Sequence, residues 1–138
     1  MKHIFLDTNI LVDLLANRQP FYKYALQLFT FAEKNKVKLF TSSHSIATTH
    51  YLLKKFISED ELRKLLLSLT DFVEVTSVDL NVIRKSLLSD HRDFEDAIQI
   101  FAAESIPRLD FIVTRNLKDF KNSAIMVLPP EEAVGQLL

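Results

Sequence analysis

Residues 2–15 read Lys2-His3-Ile4-Phe5-Leu6-Asp7-Thr8-Asn9-Ile10-Leu11-Val12-Asp13-Leu14-Leu15, and this stretch decides the fold class. His3 to Leu6 is a short apolar run, Asp7-Thr8-Asn9 favour turns and helix caps, and Ile10, Leu11, Leu14 and Leu15 then recur at helical spacing. The order is strand, turn, helix, and the remaining chain alternates in the same way. Pro20 is expected to open a second helix with Phe21, Tyr24, Ala25, Leu28, Phe29 and Ala32 on its apolar face, and Val37 to Thr41 a second strand. Ser42 or Ser43 can cap a helix through Ile46, Tyr51, Leu52, Leu53 and Phe56, and Ser58-Glu59-Asp60-Glu61 can start another through Leu62, Leu65, Leu66 and Leu69. Phe72 to Val75 reads as a strand, Asp79 as the cap of a helix over Leu80, Ile83, Leu87 and Leu88, and Asp93 as the cap of one over Ala97, Ile98, Phe101 and Ala102. Phe111 to Val113 and Ile125 to Leu128 supply the last strands. Such alternation predicts an α/β fold, a parallel β-sheet flanked by helices on both faces, with the functional site beyond the strands' C-terminal ends.

With 138 residues the chain is read as one domain, residues 1–138, long enough to bury a full core without covalent staples. The absence of Cys excludes disulfides, thiol nucleophiles and Cys-based zinc sites. The single glycine, Gly135, excludes more, because phosphate-cradling loops need glycines for close backbone approach. A balance of 17 basic against 18 acidic side chains argues against an all-over basic surface that coats nucleic acid, but leaves room for a local basic rim. Asp7 and Asp13 interrupt the N-terminal apolar stretch before a signal peptide or spanning helix forms, so a soluble, cytoplasmic protein with no membrane partner is expected.

Three acidic motifs fall at strand ends or helix starts. Asp7-Thr8-Asn9 closes the first strand, where a carboxylate points into the crevice of an open sheet; capping of the next helix by Asp7 or Thr8 is the plainer alternative. Asp13 reads as a solvated helix residue. In Asp93-Phe94-Glu95-Asp96-Ala97 a capping box and the helix dipole account for part of the charge but not for all three carboxylates, and Asp96 can lean over the sheet edge. Thr114-Arg115-Asn116-Leu117-Lys118-Asp119-Phe120 follows the buried run Phe111-Ile112-Val113. The fold brings all three motifs to one rim.

In this order and spacing the chain resembles the PIN-domain nucleases, whose small members include the toxins of bacterial toxin–antitoxin pairs. The resemblance spans the whole chain. It implies a parallel sheet sandwiched by helices, Mg²⁺ or Mn²⁺ as cofactor, hydrolysis of RNA as substrate, and an antitoxin protein as partner. Residue by residue it implies Asp7 and Asp96 as metal ligands, Asp119 as a third acidic group in the metal and catalytic set, Asn116 beside it, and Thr8 and Asn9 next to the ion. Asp93, Thr114 and Arg115 lie on the same rim and are candidates for contact with the site or with a phosphate. One departure stands out: the family places a Glu on the helix after the second strand, and here Ser45-Ile46-Ala47-Thr48-Thr49-His50-Tyr51 has no acid, with Thr48 at the Glu position. This leaves the number of metal ions open.

Phosphodiester hydrolysis needs an activated water and stabilisation of charge on the phosphate and leaving oxygens, all of which a divalent metal supplies. Mg²⁺ takes only one or two protein carboxylates, so Asp7 and Asp96 suffice for one ion, with Asp119 acting through water. Arg115 and Lys118 are placed to hold a phosphate, with a solvated loop as the plainer account of Lys118. The histidines lack ligand spacing and receive no role. A haloacid-dehalogenase-like phosphatase would need an Asp where Asn9 stands. The non-enzymatic alternative is a PIN-like module with weakened catalysis serving in binding or dimerisation, for which Thr48 is the main support. The helices between Ser43 and Thr70 carry Tyr51, Leu52, Phe56, Leu62 and Leu66, a surplus of apolar positions that predicts a homodimer.

Overall fold

Both neighbours of the first strand are parallel to it: Phe5 lies opposite Phe40 on one side and Ile112 on the other. A computed structural model describes residues 1–138. The strands β1 (Lys2–Leu6), β2 (Val37–Ser42), β3 (Val73–Thr76), β4 (Phe111–Val113) and β5 (Val127–Leu128) form one parallel sheet in the order β3-β2-β1-β4-β5. The helices are α1 (Thr8–Leu15), α2 (Tyr22–Glu33), α3 (Ser43–Leu53), α4 (Glu59–Leu69), α5 (Leu80–Leu88), α6 (Phe94–Glu104) and α7 (Pro130–Leu137). A 3₁₀ turn, Leu117–Phe120, follows β4.

The two-residue period of a strand explains why Ile4, Phe5 and Leu6 of β1 are all apolar and buried. Ile4 and Leu6 face a core shared with Leu11, Leu28, Phe29 and Val134 from α1, α2 and α7. Phe5, between them, faces Ile98, Ile100 and Ala102 of α6 on the opposite side. Each face is thus covered by helices, as the alternation of elements predicts. From β1 the chain runs outward through β2 to β3 and then crosses back to β4 on the other flank. That reversal opens a crevice at the C-terminal ends of β1, β2 and β4, where α/β sheets place their ligands.

Helix caps at Asp7, Ser42, Ser58, Asp79 and Asp93 lie where the sequence places them, each accepting a backbone N–H of the helix it starts. Other boundaries shift for local reasons. The helix expected from Pro20 begins at Tyr22, because a turn closed by the Tyr22 N–H on the Arg18 carbonyl (2.7 Å) takes up the preceding residues. The third helix stops at Leu53 rather than Phe56, since the Leu53 carbonyl accepts from both Phe56 and Ile57 in a tight turn. β5 starts at Val127 rather than Ile125, whose N–H is taken by the Ser123 hydroxyl. The C-terminal helix α7 has no counterpart among the sequence expectations. Pro130 at its first turn with Glu131 and Glu132 is a usable start signal, and Ala133 and Val134 bury against the β1 face.

The apolar surplus on α3 and α4 is smaller than their sequences suggest. Leu62 and Leu66 pack with Val12 and Leu53 in a separate small core, whereas Tyr51, Leu52 and Phe56 are exposed. No helix is long and apolar enough to cross a membrane.

Candidate active site

Asp7 stands immediately after β1, its N–H paired with the Val113 carbonyl at 3.0 Å so that the sheet ladder delivers it beside Thr114. Its carboxylate is buried and fully engaged. Oδ1 accepts from the Thr8 N–H (2.8 Å) and Gln99 Nε2 (3.0 Å), and Oδ2 accepts from Thr114 Oγ1 (2.7 Å) and, more weakly, Asn9 Nδ2 (3.5 Å). Capping and placement in the crevice are therefore not alternatives, because the same side chain does both. Thr8 donates from Oγ1 to Ser45 Oγ (3.0 Å), and Asn9 Nδ2 reaches Thr114 Oγ1 (3.2 Å), so the whole Asp7-Thr8-Asn9 motif is tied across the strand ends.

Asp96 sits in the first turn of α6, where Asp93 caps the helix by accepting the Asp96 N–H at 3.0 Å. The Asp96 carboxyl is half-buried, and its pKa is pushed up to about 7, first by desolvation and then by the negative charges of Asp7, Asp93, Asp119 and Glu95. Asn116 joins the second and third motifs: its Nδ2 donates to Asp119 Oδ2 (2.8 Å) and, at 3.4 Å, to Asp96 Oδ2. Its backbone N–H in turn donates to Thr114 Oγ1 (3.0 Å). Asp119 is held on the 3₁₀ turn outside the crevice wall formed by Asp7, Asp96 and Asn116, and acts on Asp96 through its charge and through Asn116.

Three sequence expectations need correction. Asp13 is not solvated; it is 1% exposed and receives a two-pronged ion pair from Arg115, Nε to Oδ2 at 2.7 Å and Nη2 to Oδ1 at 3.0 Å. The guanidinium is further stacked 4.0 Å over the Phe21 ring. Arg115 accordingly clamps α1 to the β4 loop and does not line the crevice, whose only basic side chains are Arg18 and His44. Histidine, given no role from the sequence, thus enters the site through His44, which lies 3.4 Å from Thr48 Oγ1 and 3.6 Å from Glu95 Oε1.

Gln99 is the polar residue that sequence reasoning missed. It is 2% exposed, donates to Asp7 Oδ1 and to Ser45 Oγ (2.6 Å), and accepts from Ser42 Oγ (2.5 Å). It therefore joins the ends of β1 and β2 and the start of α3 to α6. A signal existed: Gln99 is the single polar residue in Ala97-Ile98-Gln99-Ile100-Phe101, one turn from Asp96 and on its face of the helix.

The crevice encloses about 240 Å³ with Asp7, Asp96, Asn116 and Thr48 among its walls. Thr48 indeed faces the acids, so no fourth carboxylate comes from α3. No three acidic or histidine side chains approach closely enough to enclose an ion by themselves. The carboxylate oxygens of Asp7 and Asp96, in a crevice open on one side, fit a hard divalent cation that retains water ligands.

The PIN domain family profile matches residues 3–118. The chain belongs to the PIN-domain family. This PIN domain is similar to ribonuclease VapC1 of Aquifex aeolicus (strain VF5), with 27% identity over 95% of this chain and 92% of the relative. Among solved structures it is similar to a toxin-antitoxin complex from Klebsiella pneumoniae (25% identity, TM-score 0.64, covering 92% of this chain and 97% of that one). VapC20 of Mycobacterium tuberculosis, a Sarcin-Ricin loop cleaving toxin, shares the fold at 21% identity and a TM-score of 0.62, over 79% of this chain and 86% of that one.

Proposed function

We propose that this PIN domain is a divalent-metal-dependent endoribonuclease acting as the toxin of a toxin–antitoxin pair. The observation that carries the reading is the convergence of Asp7, Asp96 and Asn116 on one crevice, where burial and the charges of Asp7, Asp93, Asp119 and Glu95 hold the half-buried Asp96 carboxyl above the usual carboxylate range. Such an arrangement opposes folding unless a cation or a proton relieves it. The similarity to ribonuclease VapC1 supports RNA as the substrate.

Asp7 and Asp96 would hold Mg²⁺ or Mn²⁺, with Asp119 reaching it through water. When bound, the ion supplies an activated water and neutralises charge on the scissile phosphate. Thr114, Gln99 and the Thr8 N–H fix the Asp7 carboxylate in one orientation before any ligand arrives, which limits the reorganisation needed. Asn116 orients Asp96 and Asp119 together, and Thr8 and Asn9 brace the opposite wall.

An antitoxin partner is supported by the toxin-antitoxin complex among the similar structures. An apolar groove lined by Leu15, Leu52, Phe56, Ile57 and Leu65 shares Val12, Arg18 and Leu52 with the acidic crevice, so a protein seated there would also obstruct RNA. A homodimer is the further element of the proposal, supported by exposed Tyr51, Leu52 and Phe56; a monomeric mass by light scattering at high micromolar concentration would remove it.

The test is cleavage of single-stranded RNA with Mg²⁺ or Mn²⁺, lost in EDTA and abolished by Asp7→Asn or Asp96→Asn. Equal cleavage in EDTA overturns the reading. The second reading, a binding module with weakened catalysis, is favoured by Thr48 facing the crevice. A calorimetric titration showing no Mn²⁺ binding would select it.

A further inference from the structure

With Arg115 committed to Asp13, Lys118 is the one of the two cations expected to receive substrate phosphates on the loop after β4 that is left for the task. Beside the acidic crevice lies a second, shallow depression of about 50 Å³ lined entirely by polar residues, His91, Arg92, Lys118, Asp119, Lys121 and Asn122. Arg92, Lys118 and Lys121 are exposed and belong to none of the ion pairs in the structure, nor does any of them stack on an aromatic ring. In a chain of net charge −1, three positive charges outside any ion pair are thus gathered beside an acidic site, where they raise the local potential toward an anionic strand.

The depression adjoins the site through neighbouring residues. Arg92 directly precedes Asp93, the cap of the helix that carries Asp96, and Lys118 and Lys121 flank Asp119 on the 3₁₀ turn and just after it. Asp119 links the two places, lining the basic depression while accepting from Asn116 of the crevice wall. A strand whose scissile phosphate sits at Asp7 and Asp96 can therefore continue over Asp119 with its next phosphates among the cations.

We propose that Arg92, Lys118 and Lys121 form a backbone-binding subsite that holds the phosphates of single-stranded RNA flanking the cleaved bond. The inference rests on the endoribonuclease reading and deepens it by setting the path of the strand. The one ring at the depression, His91, packs edge-on against Phe101, and the exposed arginine and lysines hold phosphates through charge, so the subsite contributes affinity and register rather than sequence preference.

The test is binding of a fluorescein-labelled single-stranded RNA in EDTA, followed by anisotropy across a salt series. The triple variant Arg92→Gln/Lys118→Gln/Lys121→Gln is compared with Lys2→Gln/Lys34→Gln/Lys36→Gln, which removes the same charge from the opposite, N-terminal edge of the sheet. With a slope of about 0.7 per neutralised phosphate on a single strand, the first triple is expected to lower the slope of log K against log salt by about 2 and the second to leave it at the parent value. All six positions are exposed; circular dichroism melts verify folding, and the single variant Lys121→Gln, with an expected slope change of about 0.7, serves if the triple does not fold. Equal losses in both triples would mean net charge alone, and an unchanged slope in the first would remove the subsite; either overturns the proposal while leaving parent cleavage, and so the nuclease reading, intact. A parent that neither binds nor cleaves RNA overturns both.

Discussion

Gln99 Nε2 and Asp7 Oδ1 lie 3.0 Å apart although 92 positions separate them in the chain. That bond joins the end of the central strand to the helix carrying Asp96, and through Ser42 and Ser45 it reaches β2 and α3. Substituting Gln99→Leu would leave the Asp7 oxygen and the Ser42 and Ser45 hydroxyls without that partner in a buried site. A stability loss of about 2–3 kcal/mol is expected, from roughly 1–3 kcal/mol for a buried polar group left unsatisfied. Urea unfolding measures it, and an unchanged midpoint would show that the network carries no stability.

The ion pair between Asp13 and Arg115 predicts strong non-additivity. Arg115→Met strands a carboxylate that is 1% exposed, and a loss of about 3–5 kcal/mol is expected, as for other buried pairs broken from one side. The double variant Asp13→Leu/Arg115→Met should recover much of this loss, since neither charge is then left unpaired. A double-mutant cycle by thermal or urea unfolding checks it, with additive losses as the contrary result.

Asp96 links stability to pH. Its carboxyl ionises near 3.8 when unperturbed but near 7 in the metal-free fold, so between these values the folded chain binds more protons than the unfolded one. Stability of the metal-free protein should therefore fall as pH rises from about 4 to about 7, and stay low above. Allowing for solvent screening of a half-exposed group, the loss is expected to be about 1–2 kcal/mol. Asp96→Asn should flatten this slope and raise the melting temperature in EDTA near pH 8, while shrinking the further rise that saturating Mn²⁺ gives the parent. If Asp96 served only as a first-turn helix residue, the same variant would melt lower, by roughly 0.3–1 kcal/mol of lost dipole interaction. Because the ion must displace a proton, Mn²⁺ affinity should rise with pH through about 7.

Thr48 faces the same crevice as Asp7 and Asp96 and has only His44 within hydrogen-bond reach of its hydroxyl. Thr48→Glu would add a carboxylate to an open, oxygen-lined site, and Mn²⁺ is expected to bind about tenfold tighter, equivalent to about 1.4 kcal/mol. Isothermal calorimetry decides the matter. Unchanged affinity would mean that position 48 does not reach the ion.

How much was legible in the sequence follows from how far each signal extends along the chain. The parallel sheet, the caps at Asp7, Ser42, Ser58, Asp79 and Asp93, and the placement of Asp7, Asp96, Asn116 and Asp119 at strand ends or helix starts rest on periodicity and on hydrogen bonds that close within a few residues. Such signals sit in one stretch of sequence and need no knowledge of what lies opposite. The burial of Asp13 did not follow, because its partner Arg115 is 102 positions away and a charged residue on a helix is ordinarily solvated. Gln99 and His44 likewise acquired their places only once α3 and α6 were packed over the ends of β1 and β2. Local chemistry determined which residues stand at the rim. The register of the sheet and the packing of helices on it decided which of them touch, since a contact between distant segments is defined only by the fold that brings them together.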